Sequence, residues 1–282
     1  MGGHACDLGF VGAGSIARAL GRFASASGMT VCFYDVVTER ASEAASMTGG
    51  TAIFSLERLV YLSDALSVSV PGSIAPDVLR SIFSMDYVRG KLVFETSTFK
   101  EDVSSVISRA PEGVKVAMVH PLFGGRARRP DAHYVAVIPV EGREEGAGEA
   151  SVLFSRMGLN VVIIGLEDHE ELAALSMGLT YLLSEAVLTL LEERGLNTSS
   201  PLPGTTYRYL RKLLDAISED SEELRREIVG NPRVRSIARR LSEIIAAMAE
   251  GNWSPSRIRP SSDGYSAIYK CLEECVEDFG QR

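Results

Sequence analysis

The chain has 282 residues, is 45% hydrophobic, 7% aromatic and 23% charged, and carries a formal net charge of −8. This is ordinary globular composition with room for one or two domains, and it leaves no basic footprint for nucleic acid or an anionic lipid surface. No uninterrupted apolar run reaches the ~18 residues that a bilayer span requires and no leader pattern opens the chain, so a cytoplasmic protein without membrane contact is expected.

Short apolar runs at 7–11, 30–34, 65–70, 92–95, 115–119, 134–139 and 160–164 alternate with helical patterns. Several are near-continuous in Val, Ile, Leu and Phe, as parallel strands covered on both faces must be. They predict an α/β Rossmann-type doubly wound sheet over residues 1–165. From 167 onward the pattern is helical only, at about 168–195, 205–217, 221–229, 233–249 and 263–279, with breaks at Pro201, Pro203, Gly230-Asn231-Pro232, Pro255 and Pro260. An all-α domain over 166–282 follows. Its first helix repeats Leu172, Leu175, Leu179, Leu182, Ala186 and Leu190 at helical spacing, with Ala174, Gly178 and Tyr181 opposite, so burial nearly all round is expected. Of the four cysteines, Cys6 and Cys32 fall in strands, while Cys271 and Cys275 share a helix face. None pairs with histidine at metal-site spacing, so reduced thiols and no metal are expected.

The segment Gly9-Phe10-Val11-Gly12-Ala13-Gly14-Ser15-Ile16-Ala17 ends a strand and opens a helix. Gly12 permits the tight turn, Gly14 lets backbone approach a pyrophosphate, and the helix amino end offers unpaired N–H groups to it. Ala13, Ser15 and Ile16 complete that turn. About twenty residues on, a second strand ends in Asp35, whose carboxylate can accept from both ribose hydroxyls and repel a 2′-phosphate, which favours NAD over NADP. Val70 and Pro71, after a later strand, are candidates for the same crevice.

Among the histidines, His120 stands out because it ends an apolar strand, where open α/β sheets hold their ligands, and can take a proton from a substrate hydroxyl. His4, His133 and His169 read as structural. Thr98, in Glu95-Thr96-Ser97-Thr98-Phe99-Lys100, either caps the next helix or bonds substrate and nicotinamide. Arg208 and Arg211 flank a stripe of Tyr207, Leu210, Leu214 and Ile217, and either bind a carboxylate or are solvated. The run Arg126-Ala127-Arg128-Arg129 is a second cationic group with the same two readings.

Together these motifs resemble the prephenate dehydrogenase family of tyrosine biosynthesis, including its arogenate-using relatives. The likeness runs from Gly9 to about Ala249 and rests on five blocks in order: the glycine loop, Thr98-Phe99-Lys100, His120-Pro121-Leu122-Phe123-Gly124, Asp168-His169 before Gly178-Leu179-Thr180-Tyr181, and Tyr207-Arg208 before Asp220, Glu223 and Asn231-Pro232. The resemblance implies NAD-dependent oxidative decarboxylation of prephenate to 4-hydroxyphenylpyruvate, with His120 as proton acceptor and Thr98 orienting hydroxyl and nicotinamide. It further implies that Arg208, with Arg211, Lys100 and Tyr181 near it, binds substrate, and that the helical domains form a homodimer. Glu95, Thr98, Gly125 and Tyr181 depart from the family's usual Asp, Ser, Pro and His. Two alternatives stand beside this reading: another substrate on the same architecture (arogenate, a hydroxy acid or an imine), or a non-catalytic NAD-binding regulator. The lysine that β-hydroxyacid dehydrogenases would want in their first long helix is absent from 167–193.

Overall fold

In the computed structural model, residues 6–197, 204–258 and 264–274 are described. His4, Pro201, Pro203, Pro260 and Cys275 lie outside them, as does the side chain of Cys271. The chain divides into two compact units, Met1–Ala173 and Ala174–Arg282.

The first unit alternates β1 (Cys6–Val11), α1 (Ser15–Ala26), β2 (Val31–Tyr34), α2 (Thr38–Thr48), β3 (Thr51–Ala52), α3 (Leu56–Leu62), β4 (Ser63–Val68), α4 (Ala75–Phe83), β5 (Leu92–Glu95) and α5 (Glu101–Ile107). It continues with β6 (Lys115–Pro121), β7 (Tyr134–Pro139), α6 (Glu144–Arg156), β8 (Asn160–Ile163) and α7 (Leu166–Ala173). The strands form one sheet in the order β3-β2-β1-β4-β5-β6-β7-β8, so the direction of winding switches at β1. The expected doubly wound sheet is present, because strands this apolar are stable only between two layers of helix. On one face Leu20, Phe23, Ala44, Phe154 and neighbours from α1, α2 and α6 pack on Phe10, Phe33 and Phe94; on the other, Leu59, Leu79, Ile82 and Ile107 from α3, α4 and α5 pack on Leu66, Val68, Val93 and Val116.

Two details differ from the sequence reading. The two-residue strand β3 left no periodicity to find. Strand β7 runs antiparallel to β6 and only β8 is parallel to β7. A parallel pair needs a crossover of a dozen or more residues, usually a helix. Between β6 and β7 the chain has only a loop with a single 3-10 turn, Pro130–Ala132, so it reverses instead.

The expectation of reduced thiols fails at Cys6 and Cys32, which are joined in a disulfide between β1 and β2. Adjacent strands bring their Cα atoms to 5.8 Å, within bonding reach, which strand assignment alone could not reveal. Such a bond departs from the usual reduced state of cytosolic proteins.

The second unit holds α8 (Leu179–Glu193), α9 (Thr205–Ser218), α10 (Glu222–Gly230), α11 (Pro232–Ala249) and α12 (Gly264–Glu274). Ser221 caps α10 by accepting from Leu224 N–H; Asn231 caps α11 in the same way, with Pro232 at its first position. The α9 stripe is narrower than expected: Leu214 and Ile217 are buried but Leu210 is exposed. All-round burial of α8 is also corrected. Tyr181 and Ser184 are buried, while Leu172, Leu175, Leu183 and Leu190 along the same rod are exposed. The helical stretch Leu166–Glu193, 28 residues with a five-residue π-turn at Ala174–Gly178, contains a window of mean hydropathy 1.6. By length and composition it could cross a membrane, contrary to the sequence reading, which counted only uninterrupted apolar runs. Two of its carboxylates have specific partners: Glu185 pairs with Arg225 at 2.9 Å, and the buried Glu170 lies 3.0 Å from His169 Nδ1.

Candidate active site

The phosphate turn is built as its residue types require. Gly12 has φ +94°, and a Cβ there would lie 2.3 Å from the Ser69 carbonyl oxygen, so no other residue fits without displacing the loop after β4. Gly14 faces open space, and no side chain caps the amino end of α1, which begins at Ser15 and Ile16. Ala13 is buried, and its N–H donates to Asp35 Oδ2 at 2.9 Å, while Val37 N–H donates to Oδ1. Asp35 thus fastens the turn to the end of β2 and keeps lone pairs for ribose hydroxyls. Val70 follows β4, with a methyl that would touch a Cβ on Gly12, and Pro71 is exposed beside it. A helix start with uncapped amides, an open Gly14 and a carboxylate at the next strand end together fit a dinucleotide.

Beyond the switch point, β5 and β6 end in a buried polar network. Lys100 and Glu95 both have 0% side-chain exposure and are paired at 2.7 Å. The Lys100 ammonium also donates to the carbonyls of Ser97 and Val119, at 2.5 and 2.6 Å. All three of its protons are committed. Lys100 is therefore not a substrate ligand: burial lowers the pKa of its ammonium, the Glu95 charge opposes that shift, and its role is to pin the loop between β5 and α5. Ser97 N–H and Oγ both donate to Glu95 Oε2, closing the same knot. Thr98 stands half-exposed at the tip of this loop, held from both sides.

His120 is the penultimate residue of β6, opposite Ala136 of β7, and is buried. Its Nδ1 lies 3.0 Å from Nε2 of His169, whose Nδ1 lies 3.0 Å from Glu170 Oε1. The same oxygen accepts from Lys100 N–H at 2.9 Å, which joins the two networks. Burial first, then the neighbouring Lys100 charge, holds the His120 pKa well below the ordinary 6.5. It is a neutral imidazole at neutral pH, the form that accepts a proton.

The comparisons bear on fold. The family model for the NAD binding domain of D-isomer specific 2-hydroxyacid dehydrogenases matches residues 3–77. No curated protein matches. A structure from Corynebacterium glutamicum, proposed to be a prephenate dehydrogenase, is 16% identical, covers 97% of this chain and 90% of its own, and has a TM-score of 0.68. Prephenate dehydrogenase from A. aeolicus, in complex with hydroxyphenyl propionate and NAD+, is 13% identical over 95% of this chain and 94% of its own, with a TM-score of 0.66. Synechocystis arogenate dehydrogenase is 14% identical over 96% and 98%, with a TM-score of 0.60. The chain has the prephenate dehydrogenase fold. Within that fold Thr98 and His120 lie at the carboxyl ends of neighbouring strands, on the far side of β4 from the glycine turn of β1.

Tyr181 is corrected as a substrate contact: its hydroxyl donates to Asp220 at 2.6 Å, and burial first, then this bond, raises its pKa, so its proton ties α8 to the segment before α10. Arg211 is paired with Asp215 on its own helix at 3.6 Å. Arg208 is half-buried one turn earlier. In the loop after β6, Arg129 pairs with Asp131, and Arg22 of α1 donates to the carbonyls of Gly125 and Ala127. No cluster of potential metal ligands occurs among the described residues. Sequence reasoning missed His169 and Glu170 as members of the site. The adjacent pair His169-Glu170 was the available signal, but only the fold brings it to β6.

Proposed function

We propose that the protein is an NAD-dependent dehydrogenase that converts prephenate to 4-hydroxyphenylpyruvate with loss of carbon dioxide. The observation that carries this reading is a neutral, buried histidine, hydrogen-bonded from behind, at a strand end on the same edge of the sheet as a dinucleotide turn. Gly12, Ala13 and Gly14 with Ser15 and Ile16 would hold the pyrophosphate, Asp35 the adenosine ribose, and Val70 and Pro71 the crevice wall. Bound there, NAD supplies the hydride acceptor.

His120 takes the ring hydroxyl proton while the same carbon gives up hydride, and Thr98 orients that hydroxyl. Departure of the ring carboxylate as carbon dioxide returns an electron pair to the ring, which becomes aromatic. The phenolate oxygen so formed then recovers the proton from His120. Carbon dioxide leaves and no net proton does, so the base only lends a site and needs no path to bulk water. Arg208, with Arg211 beside it on α9, binds a carboxylate of the substrate by its planar fork of donors. The exposed leucines of α8 are the surface that a second copy of the chain would cover.

The test is direct. Purified protein with NAD and prephenate should yield NADH and 4-hydroxyphenylpyruvate, and His120→Asn should abolish turnover with NAD affinity retained. Turnover of arogenate in place of prephenate would correct the substrate alone. Absence of turnover with either, despite tight NAD binding, would sink the reading.

A further inference from the structure

We propose that Glu170 and His169 are positioning residues that fix the tautomer of His120 and hold the charge it acquires during proton transfer, an inference that rests on the function proposed above. With His169 as a neutral imidazole, the hydrogen-bond chain allows one set of proton positions. Glu170 Oε1 is a carboxylate oxygen and only accepts, so His169 must present Nδ1–H to it. In neutral His169, Nε2 is then a lone pair, and the 3.0 Å contact to His120 Nδ1 is a bond only if His120 carries its proton there. His120 Nε2 is thereby left unprotonated, which is the atom a substrate hydroxyl needs. One carboxylate, two residues removed, determines which nitrogen is the base.

Three further observations support the relay. His120, His169 and Glu170 are all buried, so water does not compete for these bonds. Lys100 N–H also donates to Glu170 Oε1, which locks the carboxylate to the head of α5 and so to the Thr98 loop. Glu170 Oε2 is buried and accepts no hydrogen bond from the described residues. Its negative charge is therefore undersatisfied and poised for a cation, the one that forms when His120 is protonated. The titratable groups that face His120 among the described residues are Lys100, the residue before α5, paired with Glu95 of β5, and His169 and Glu170 from α7; β7 opposes it with Ala136. Lys100 is neutralised locally by Glu95, which leaves Glu170 as the counter-charge.

Two measurements test this. On the intact protein with NAD and prephenate, Glu170→Gln should lower kcat by about 10²-fold, the scale found for carboxylates that orient a metal-bound histidine. KM should change little, and the acid limb of the kcat/KM profile should move to lower pH as the imidazolium loses its counter-charge. Glu170→Asp should recover part of the loss. An unchanged kcat, or a loss with an unmoved acid limb, overturns the proposal while leaving the proposed reaction intact. Independently of turnover, 15N NMR of histidine-labelled wild-type protein should show His120 as the Nδ1–H tautomer, assigned by the signal missing from His120→Asn. An Nε2–H tautomer overturns the relay. That spectrum decides the relay even if the wild-type protein oxidises no prephenate, and even if the Glu170 variants fail to fold.

Discussion

Substituting Lys100 by Met removes the ammonium from the knot that shapes the Thr98 loop while nearly conserving volume. Three acceptors then lose their donor: Glu95 Oε1 and the carbonyls of Ser97 and Val119. Glu95 keeps the Ser97 N–H and hydroxyl on its other oxygen, but its charge is stranded at 0% exposure. Removing one partner of such a buried pair costs about 3–5 kcal/mol. A stranded carboxylate can escape by binding a proton, at about 1.4 kcal/mol for every pH unit above the ordinary carboxyl range. The deficit of Lys100→Met should therefore be largest near neutral pH and shrink as pH falls toward 5. The sign follows from linkage: a carboxyl that prefers its protonated form when folded contributes stability at low pH and loses it as pH rises. Denaturant midpoints at several pH values measure this, or melting temperatures, which should fall by roughly 10 °C at neutral pH. Adding Glu95→Gln should remove the pH-dependent part and leave only the cost of the unpaired carbonyls. A deficit that is equal at pH 5 and 7, and unrelieved in the double variant, would refute the account of Lys100 as a buried counter-ion.

The proton affinity of His120 makes a second prediction. Its pKa is depressed in the fold, so its contribution to stability is present above about 6.5 and is lost as pH falls, when the unfolded chain binds the proton that the buried ring refuses. His120→Asn should flatten the acid decline of stability, as measured by urea midpoints between pH 7 and 5. Asp35→Ala should lower the NAD-to-NADP affinity ratio by titration calorimetry and loosen the glycine turn, because the N–H groups of Ala13 and Val37 lose their acceptor. The double variant Cys6→Ser/Cys32→Ser should show as many free thiols as the oxidised wild-type protein. It should also lose about 3.5 kcal/mol on chain-entropy arithmetic for a separation of 26 residues.

The sheet was legible because its strands are apolar on both faces and the glycine turn has a residue-level rationale at each position. The place of His120 near the end of β6 was legible from the apolar run that precedes it. What escaped were relations that only tertiary structure creates. His169 looked like an isolated histidine in a first helical turn, and its meaning came from a contact 49 residues away in sequence. Lys100 looked like a ligand because a lysine near a candidate site suggests one, and only its three buried acceptors show otherwise. Tyr181 misled in the same way until Asp220 supplied its partner. For α8, hydrophobicity on all sides was read as burial, whereas apolar residues at helical spacing are equally what a rod with an uncovered face requires.

The reversal of the chain after β6 changes what one small residue controls. Because β7 returns antiparallel, the segment that follows His120 stays at the carboxyl edge of the sheet and folds over α1, where Arg22 donates to the carbonyls of Gly125 and Ala127. Gly125 lies against the first residue of that helix: a Cβ there would lie 2.4 Å from that of Ser15. The hairpin that carries His120 and the helix that would receive the pyrophosphate therefore meet without clearance. Bulk added at 125 would be felt in two places at once: it would lift the hood from the dinucleotide turn and tilt the strand end that aims His120. A glycine in place of the usual proline thus acts as a spacer of fixed thickness between two functions.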